Sequence, residues 1–294
     1  MKKVLNKVSD KCYLRANCLL LSLINRYKGD FKVSFSLTGS IVEQFRVFRP
    51  DVLESFRDLA ATGNVEFMGE TYYHSLSSLF DEEEFFEQVS MHSELMESEF
   101  GYRPVTFRNT ELIYSDRIAD LVSKMKQFKV ILAEGAEKIL GWRSPLYAYS
   151  TYSGRQLLLL KYYQLADDIA FRFSNKNWLG FPLTVERFVD WIERLGLLEH
   201  DGRNLYVNLF MDYETFGEHQ WEDTGIFKFL EHLPGAALKN GYIRFAHPRD
   251  AIDSVNYTPA ELSVSEPVSW ADTERDLSAW FSNSLQANAL GNLS

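Results

Sequence analysis

Two hydrophobic periods alternate along this chain. Over residues 13–28 apolar side chains recur every three or four positions, and over 31–37 they alternate with polar ones before Gly39, which predicts a helix and then a strand. Residues 41–61 return to the helical period and stop at Gly63, and 65–68 form a short β-prone run that ends at Gly69. The succession continues with an acidic-faced helix over 81–100, a strand over 105–107, a helix over 115–127 capped by Ser115, and a strand over 129–133. Farther on, 141–153 is rich in Ser and Tyr and predicts a loop, 156–162 a buried strand, and 184–195 an amphipathic helix. Residues 205–211 then predict a strand, 223–239 a helix, 242–246 a strand, and 272–286 a last helix after a polar, irregular stretch. A βαβα rhythm of this kind implies an α/β fold with a mostly parallel sheet covered by helices, open or closed into a barrel.

Composition narrows the functional classes. The chain has 294 residues, 46% of them hydrophobic and 24% charged, which suits a folded protein with a sizeable core. Its 31 Lys and Arg against 41 Asp and Glu leave a formal charge of −10, which excludes binding of nucleic acid through bulk positive charge. No segment approaches the roughly 18 consecutive apolar residues of a membrane helix, and residues 1–10 lack the apolar region of a secretory signal. Cys12 and Cys18, six apart, match neither a zinc spacing nor a disulfide framework. The expectation is a cytoplasmic, reduced protein with no metal, no cofactor, and no nucleic-acid or membrane partner.

In parallel α/β folds the chemistry collects where strands end and loops begin. Three polar clusters fall at such points: Glu70-Thr-Tyr-Tyr-His74, Arg108-Asn-Thr-Glu111, and Asp212-Tyr-Glu214 with Glu218-His-Gln-Trp221. Any one of them alone reads more readily as a solvated cap or loop; three at equivalent places argue for a pocket. If strand geometry persists, Asp212 and Glu214 project from one face, and with Glu111 they supply several carboxylates to it. Crowded carboxylates push each other's pKa values apart, and the resulting acid and base are what glycoside hydrolysis uses. Trp142, Trp221, Trp270 and Trp280 lie in or near these loops and can offer flat faces to sugar rings, whereas Trp191 sits inside a predicted helix and reads as core.

Four segments carry a resemblance. Val65-Glu-Phe-Met-Gly-Glu-Thr-Tyr-Tyr-His74, Phe107-Arg-Asn-Thr-Glu-Leu-Ile-Tyr114, Met211-Asp-Tyr-Glu-Thr-Phe-Gly-Glu-His219 and Trp270-Ala-Asp-Thr-Glu-Arg-Asp-Leu-Ser-Ala-Trp280 resemble four of the five signature regions of glycoside hydrolase family 57, nearest its α-amylase branch. The resemblance implies a (β/α)7 barrel followed by a helical domain, and retaining action on α-1,4-glucans or maltooligosaccharides. It implies Glu111 as nucleophile and Asp212 as general acid/base, with carboxyls about 5–5.5 Å apart. It places His74 and Glu214 in the subsite beside the scissile bond, Glu70 and Arg108 within the substrate-binding set, and Trp221, Trp270 and Asp272 along the cleft.

This chain departs from the family pattern at both ends. The family's first strand ends in His-Gln-Pro, which has no counterpart here, and few residues follow Trp280. The expected organisation is therefore an incomplete catalytic barrel over 1–250, lacking its first strand, and the start of a helical region over 251–294. A noncatalytic amylase-like protein with residual glucan binding is one alternative; a 4-α-glucanotransferase or branching enzyme, which uses the same nucleophile and acid, is another. The stretch Gly101-Tyr-Arg-Pro-Val-Thr-Phe-Arg108 faintly resembles a loop of metal-dependent polysaccharide deacetylases, but those need two His one helical turn apart, and Ser78 and Met96 stand four beyond His74 and His92. No HExxH, GxSxG or Gly-rich phosphate loop is present.

Overall fold

Pro50 splits what the hydrophobic period predicts as one helix into Gly39–Phe48 and Pro50–Ala61, because a proline cannot donate its backbone nitrogen and disfavours helical geometry in the residue before it, here Arg49. This detail sets the tone of the fold in the computed structural model, which describes residues 2–198 and 201–291: short strands held between well-capped helices. The Thr38, Asp81 and Ser115 side chains accept from the backbone N–H of Ile41, Glu84 and Ile118, so each starts a helix as sequence predicts.

The strands are Val33–Phe35 (β1), Val65–Phe67 (β2), Thr106–Arg108 (β3), Val130–Glu134 (β4), Tyr149–Ser150 (β5) and Leu157–Lys161 (β6). β1 pairs parallel with β2, and β3, β4 and β6 pair parallel in that order, with β5 antiparallel on β6. The two sheets join at Gly69, whose N–H donates to Thr106 (2.8 Å) and whose carbonyl accepts from Arg108 (2.9 Å). A parallel bridge from Lys161 to Asn208 carries the run past β6. Every residue of β2, β3 and β4 is buried, as expected of strands covered on both faces.

Three further predicted elements differ. Residues 205–211 run beside β6 but hydrogen-bond to the sheet edge only locally, through Tyr162 N–H to Asn208 and the Asn208 side chain to Leu160, so no ladder forms. Residues 242–246 keep the alternation, with Ile243 and Phe245 half-buried between exposed neighbours, yet no ladder pairs them among the described residues. Phe245 packs edge-on against Phe31, two residues before β1, at 4.9 Å. Residues 272–286 are a hydrogen-bonded loop and then two short helices, Ser278–Phe281 and Ser284–Gly291, instead of one.

The hydrophobic pattern also missed structure. Helix Lys2–Val8 precedes the predicted one and joins helix Leu14–Tyr27 through a widened turn, Ser9–Tyr13; helix Tyr163–Ala170 follows β6. The irregular stretch after Tyr257 sends three residues into the core, Leu262, Val264 and Val268, and Val268 exchanges both backbone hydrogen bonds with Tyr114. That exchange carries the chain to the end of β3. Among the described residues no helix is long and apolar enough to cross a membrane.

Candidate active site

The C-terminal ends of β1, β2 and β3 deliver Ser36, Glu70 and Arg108 to one place, and the turn after β3 adds Glu111. Glu111 has φ +53° and ψ +28° and Leu112 φ +50°, left-handed values that cost a non-glycine residue energy and point to a position held by its surroundings. The holders are identifiable. The Glu111 carbonyl accepts from Ser269 Oγ (2.8 Å) and from the Trp270 N–H (3.3 Å). Its carboxylate meets His74 Nε2 at 2.9 Å on Oε1 and Trp270 Nε1 at 2.8 Å on Oε2. His74, also at positive φ (+54°), turns its Nδ1 to Glu70 Oε2 at 3.1 Å, and Glu70 accepts from Ser36 Oγ at 2.5 Å.

Electrostatics follow from these contacts. The His74 hydrogen bond, with that of Trp270, outweighs burial and holds the Glu111 carboxyl down at about 2. Burial alone would lower His74, but hydrogen bonds to Glu111 and Glu70 raise it to about 9, so at neutral pH both ring nitrogens carry protons and donate. Burial pushes Glu70 upward, and His74 and Arg108 more than offset it, leaving its carboxyl below the usual range. Glu70 is 1% exposed and Arg108 7%, so neither faces solvent; they orient the imidazole and balance charge beneath it.

The second group is built differently. At Tyr213 the chain leaves extended geometry for a single turn, Tyr213–Thr215, so Asp212 and Glu214 do not share a strand face as the sequence spacing suggests. Asp212 is exposed at the start of the turn, and its side chain has no hydrogen-bond partner among the described residues. Glu214 Oε1 accepts from the Tyr13 hydroxyl, and the turn docks on the N-terminal helices through Cys12 Sγ to the Tyr213 carbonyl (3.2 Å) and Tyr213 Oη to Asn17 (2.6 Å). Gly217, at φ +116°, lies so close to that helix that a Cβ there would stand 2.1 Å from the Lys11 carbonyl oxygen. Trp221 is exposed, with the Lys11 ammonium 5.2 Å from its ring centre.

Of the residues singled out from sequence, Glu70, His74, Arg108, Glu111 and Trp270 form one connected network, whereas Asp212, Glu214 and Trp221 follow one another on the loop after the Asn208 bridge without bonding to each other. The carboxylate crowding expected around Glu111 comes from Glu70 through His74; no contact joins Glu111 to Asp212 among the described residues. Asp272 spends both oxygens on its own loop, accepting from the Arg275 N–H (3.0 Å) and Ser278 Oγ (2.5 Å). Trp142 is 90% exposed, Trp280 packs against the core, and Trp191 meets Trp178 edge-on. Sequence reading overlooked Ser36, Tyr13 and an ionic group beside Trp270 in which Glu134 and Lys161 are buried and Asp167 and Arg275 half-buried. Glu134 and Lys161 end adjacent strands in register, but that adjacency exists only once β4 pairs with β6. No group of three or more His, Cys, Asp or Glu side chains arranged to hold a metal occurs among the described residues.

Comparison with known proteins gives a consistent result. The sequence profile described as Glycosyl hydrolase family 57 matches residues 1–265. A curated protein of Methanocaldococcus jannaschii named "Putative alpha-amylase" is 47% identical over 288 residues, which is 97% of this chain and 59% of the relative, so the chain spans little more than half that protein's length. Among solved structures, a 4-alpha-glucanotransferase from Thermococcus litoralis superposes with a TM-score of 0.72 at 17% identity, over 92% of this chain and 40% of the other. A branching enzyme from Pyrococcus horikoshii superposes with a TM-score of 0.74 at 15% identity, over 97% and 72%. At those identities the likeness is one of fold.

Proposed function

We infer from one premise, that the chain belongs to glycosyl hydrolase family 57, that it is built for retaining chemistry on α-1,4-linked glucans, with Glu111 as nucleophile and Asp212 as general acid/base. The observation that carries the reading is the carboxylate of Glu111, ionised and held on both oxygens at the C-terminal edge of the sheet. A nucleophile must be ionised to attack the anomeric carbon. The same two hydrogen bonds then serve the second half of the reaction, because a carboxylate of low basicity is a better leaving group from the glycosyl ester. Asp212, open to solvent, protonates the departing oxygen and afterwards activates water. His74 and Glu214 line the subsite beside the scissile bond, Trp221 and the 270–272 turn border the cleft, and Glu70 and Arg108 act through His74.

The second reading is glucan transfer, favoured by the two structural neighbours, a 4-alpha-glucanotransferase and a branching enzyme, and by a nucleophile that serves either acceptor. One experiment addresses both. Purified protein is incubated with maltoheptaose, the new reducing ends are followed by proton NMR, and the product lengths by chromatography. The α-anomer forming first, with shorter products only, is the expected outcome. Products longer than the substrate convert the reading to transfer; the β-anomer forming first, or no turnover, overturns it.

A further inference from the structure

Trp270 reaches Glu111 from a loop 159 residues away in sequence, and that loop must be held against the strand ends. Its own hydrogen bonds shape it: Ser269 N–H to the Arg275 carbonyl (3.3 Å), Arg275 N–H to Asp272, and Ser278 to Asp272. None of these ties it to the sheet. Ser269 Oγ and the Trp270 N–H already bind the Glu111 carbonyl, and Lys138 Nζ donates to the Glu274 carbonyl (3.1 Å). The tie to the ends of β4 and β6 is Arg275, whose Nη1 lies 3.2 Å from Glu134 Oε2, whose Nη2 lies 3.8 Å from Asp167, and whose guanidinium stacks 3.7 Å from the Tyr163 ring centre. Glu134 ends β4 and is 0% exposed; its register partner Lys161 ends β6, 3.6 Å from Glu134 and 3.4 Å from Asp167. Among the described residues no side chain makes a well-formed hydrogen bond to either Glu134 oxygen; burial pushes its carboxyl upward, and Lys161 and Arg275 are the cations that oppose this. Gly135 lets the strands close up there, since a Cβ would sit 2.3 Å from the Lys161 carbonyl oxygen.

The Lys161 ammonium is also 5.0 Å from the Trp270 ring centre, and the Arg108 guanidinium 4.9 Å. The indole is thus met by one cation from each ionic group while its N–H is committed to Glu111. We propose that Glu134 is a positioning residue for Glu111: through Arg275 and Lys161 it clamps the 269–278 loop to the ends of β4 and β6, and so fixes the Trp270 hydrogen bond on the nucleophile. Trp270 then serves chiefly as a brace and secondarily as a platform for sugar. The inference rests on the reading of Glu111 as nucleophile only where activity is concerned; the clamp itself is a statement about the fold.

The test uses the full chain, uniformly labelled with nitrogen-15, in three versions: wild type, Glu134→Gln and Arg275→Gln. The Trp270 indole N–H resonance is assigned with Trp270→Phe, and its position without a carboxylate partner is marked with Glu111→Gln. Both clamp variants are expected to move that resonance toward the Glu111→Gln position while the other indole signals stay, and to lower kcat on maltoheptaose about tenfold with KM nearly constant. Arg275→Lys, which keeps the charge, restores most of both. If Glu134→Gln fails to fold, Arg275→Gln alone decides, because Arg275 is less buried. A Trp270 resonance that stays in place in a folded clamp variant overturns the proposal. A wild type without glucan activity overturns the functional reading instead, and leaves the resonance to judge the clamp.

Discussion

Glu111 and Asp212, the two proposed catalytic carboxyls, sit in opposite kinds of surroundings. Glu111 has strained backbone, a hydrogen bond on each oxygen and a buried ionic layer beneath its partners. Asp212 is exposed on a turn with no side-chain partner among the described residues, and its neighbour Glu214 is held by a single tyrosine. The difference matches the two tasks. A nucleophile has one geometry to reach and must stay ionised, so rigidity and donors help it. An acid/base must give and take a proton within one cycle, and a lattice of fixed donors would hold it in one state.

The most severe way to challenge that contrast is to remove each carboxylate. Glu111→Gln is expected to lower kcat/KM at least roughly 10⁴-fold on maltooligosaccharides and equally on aryl maltosides whose phenol leaves unaided. Asp212→Asn is expected to cost about 10²- to 10⁴-fold on maltooligosaccharides but far less on the aryl maltosides, since those need no protonation. Steady-state rates on the two substrate types decide it. If Asp212→Asn suffers on both and Glu111→Gln is spared on the activated one, the roles are exchanged.

A smaller loss tests the rigidity. His74→Gln removes the imidazolium between Glu70 and Glu111, and a fall in kcat of roughly 10²-fold is expected, as for loss of one preorganised donor. It also has a signature in stability. His74 is raised from 6.5 to about 9 in the folded protein, so its contribution is complete below pH 6.5 and is lost as pH rises through 9. Glu111 is lowered from 4.5 to about 2, so its contribution is complete above pH 4.5 and is lost as pH falls toward 2. The stability gap between wild type and His74→Gln, read from urea unfolding, should therefore be widest between pH 4.5 and 6.5 and narrow on both sides. A gap that persists undiminished above pH 9 would falsify the charged pair.

The same contrast explains what was legible in the sequence. Glu70, His74, Arg108 and Glu111 lie within a few residues of strand ends, where local period and a break in it mark the candidate edge, and all four converge. The alternation over 242–246 correctly placed Ile243 and Phe245 inward yet wrongly implied a ladder, because side-chain alternation reports burial while hydrogen bonding depends on a neighbour. Pairing of Asp212 with Glu214 failed for a related reason: their spacing is meaningful only if the strand continues, and the chain turns at Tyr213. Least legible was the stretch leading to Trp270. Its only alternation, Leu262 and Val264 between polar residues, is too short to mark an element, and with Val268 these become core by filling a place offered by Tyr114 and its neighbours.

The mildest expected effect belongs to the loosely held side. Tyr13→Phe removes the hydroxyl that donates to Glu214 but keeps the ring, which packs edge-on against Phe45 at 5.3 Å and lies nearly parallel to Tyr213 at 6.1 Å. Stability should change by about 1 kcal/mol, the usual scale for one hydrogen bond between partly accessible groups. Burial and the adjacent Glu214 push the Tyr13 phenol well above its ordinary range, so it donates at every working pH and the effect should not vary between pH 5 and 9. Freed, Glu214 can swing from the subsite, and KM for maltoheptaose should rise less than about tenfold while kcat holds, because neither Glu111 nor Asp212 depends on that hydroxyl. A fall in kcat as large as that of His74→Gln would mean that the Asp212 loop is as tightly organised as the Glu111 site, with Tyr13 as its counterpart of His74.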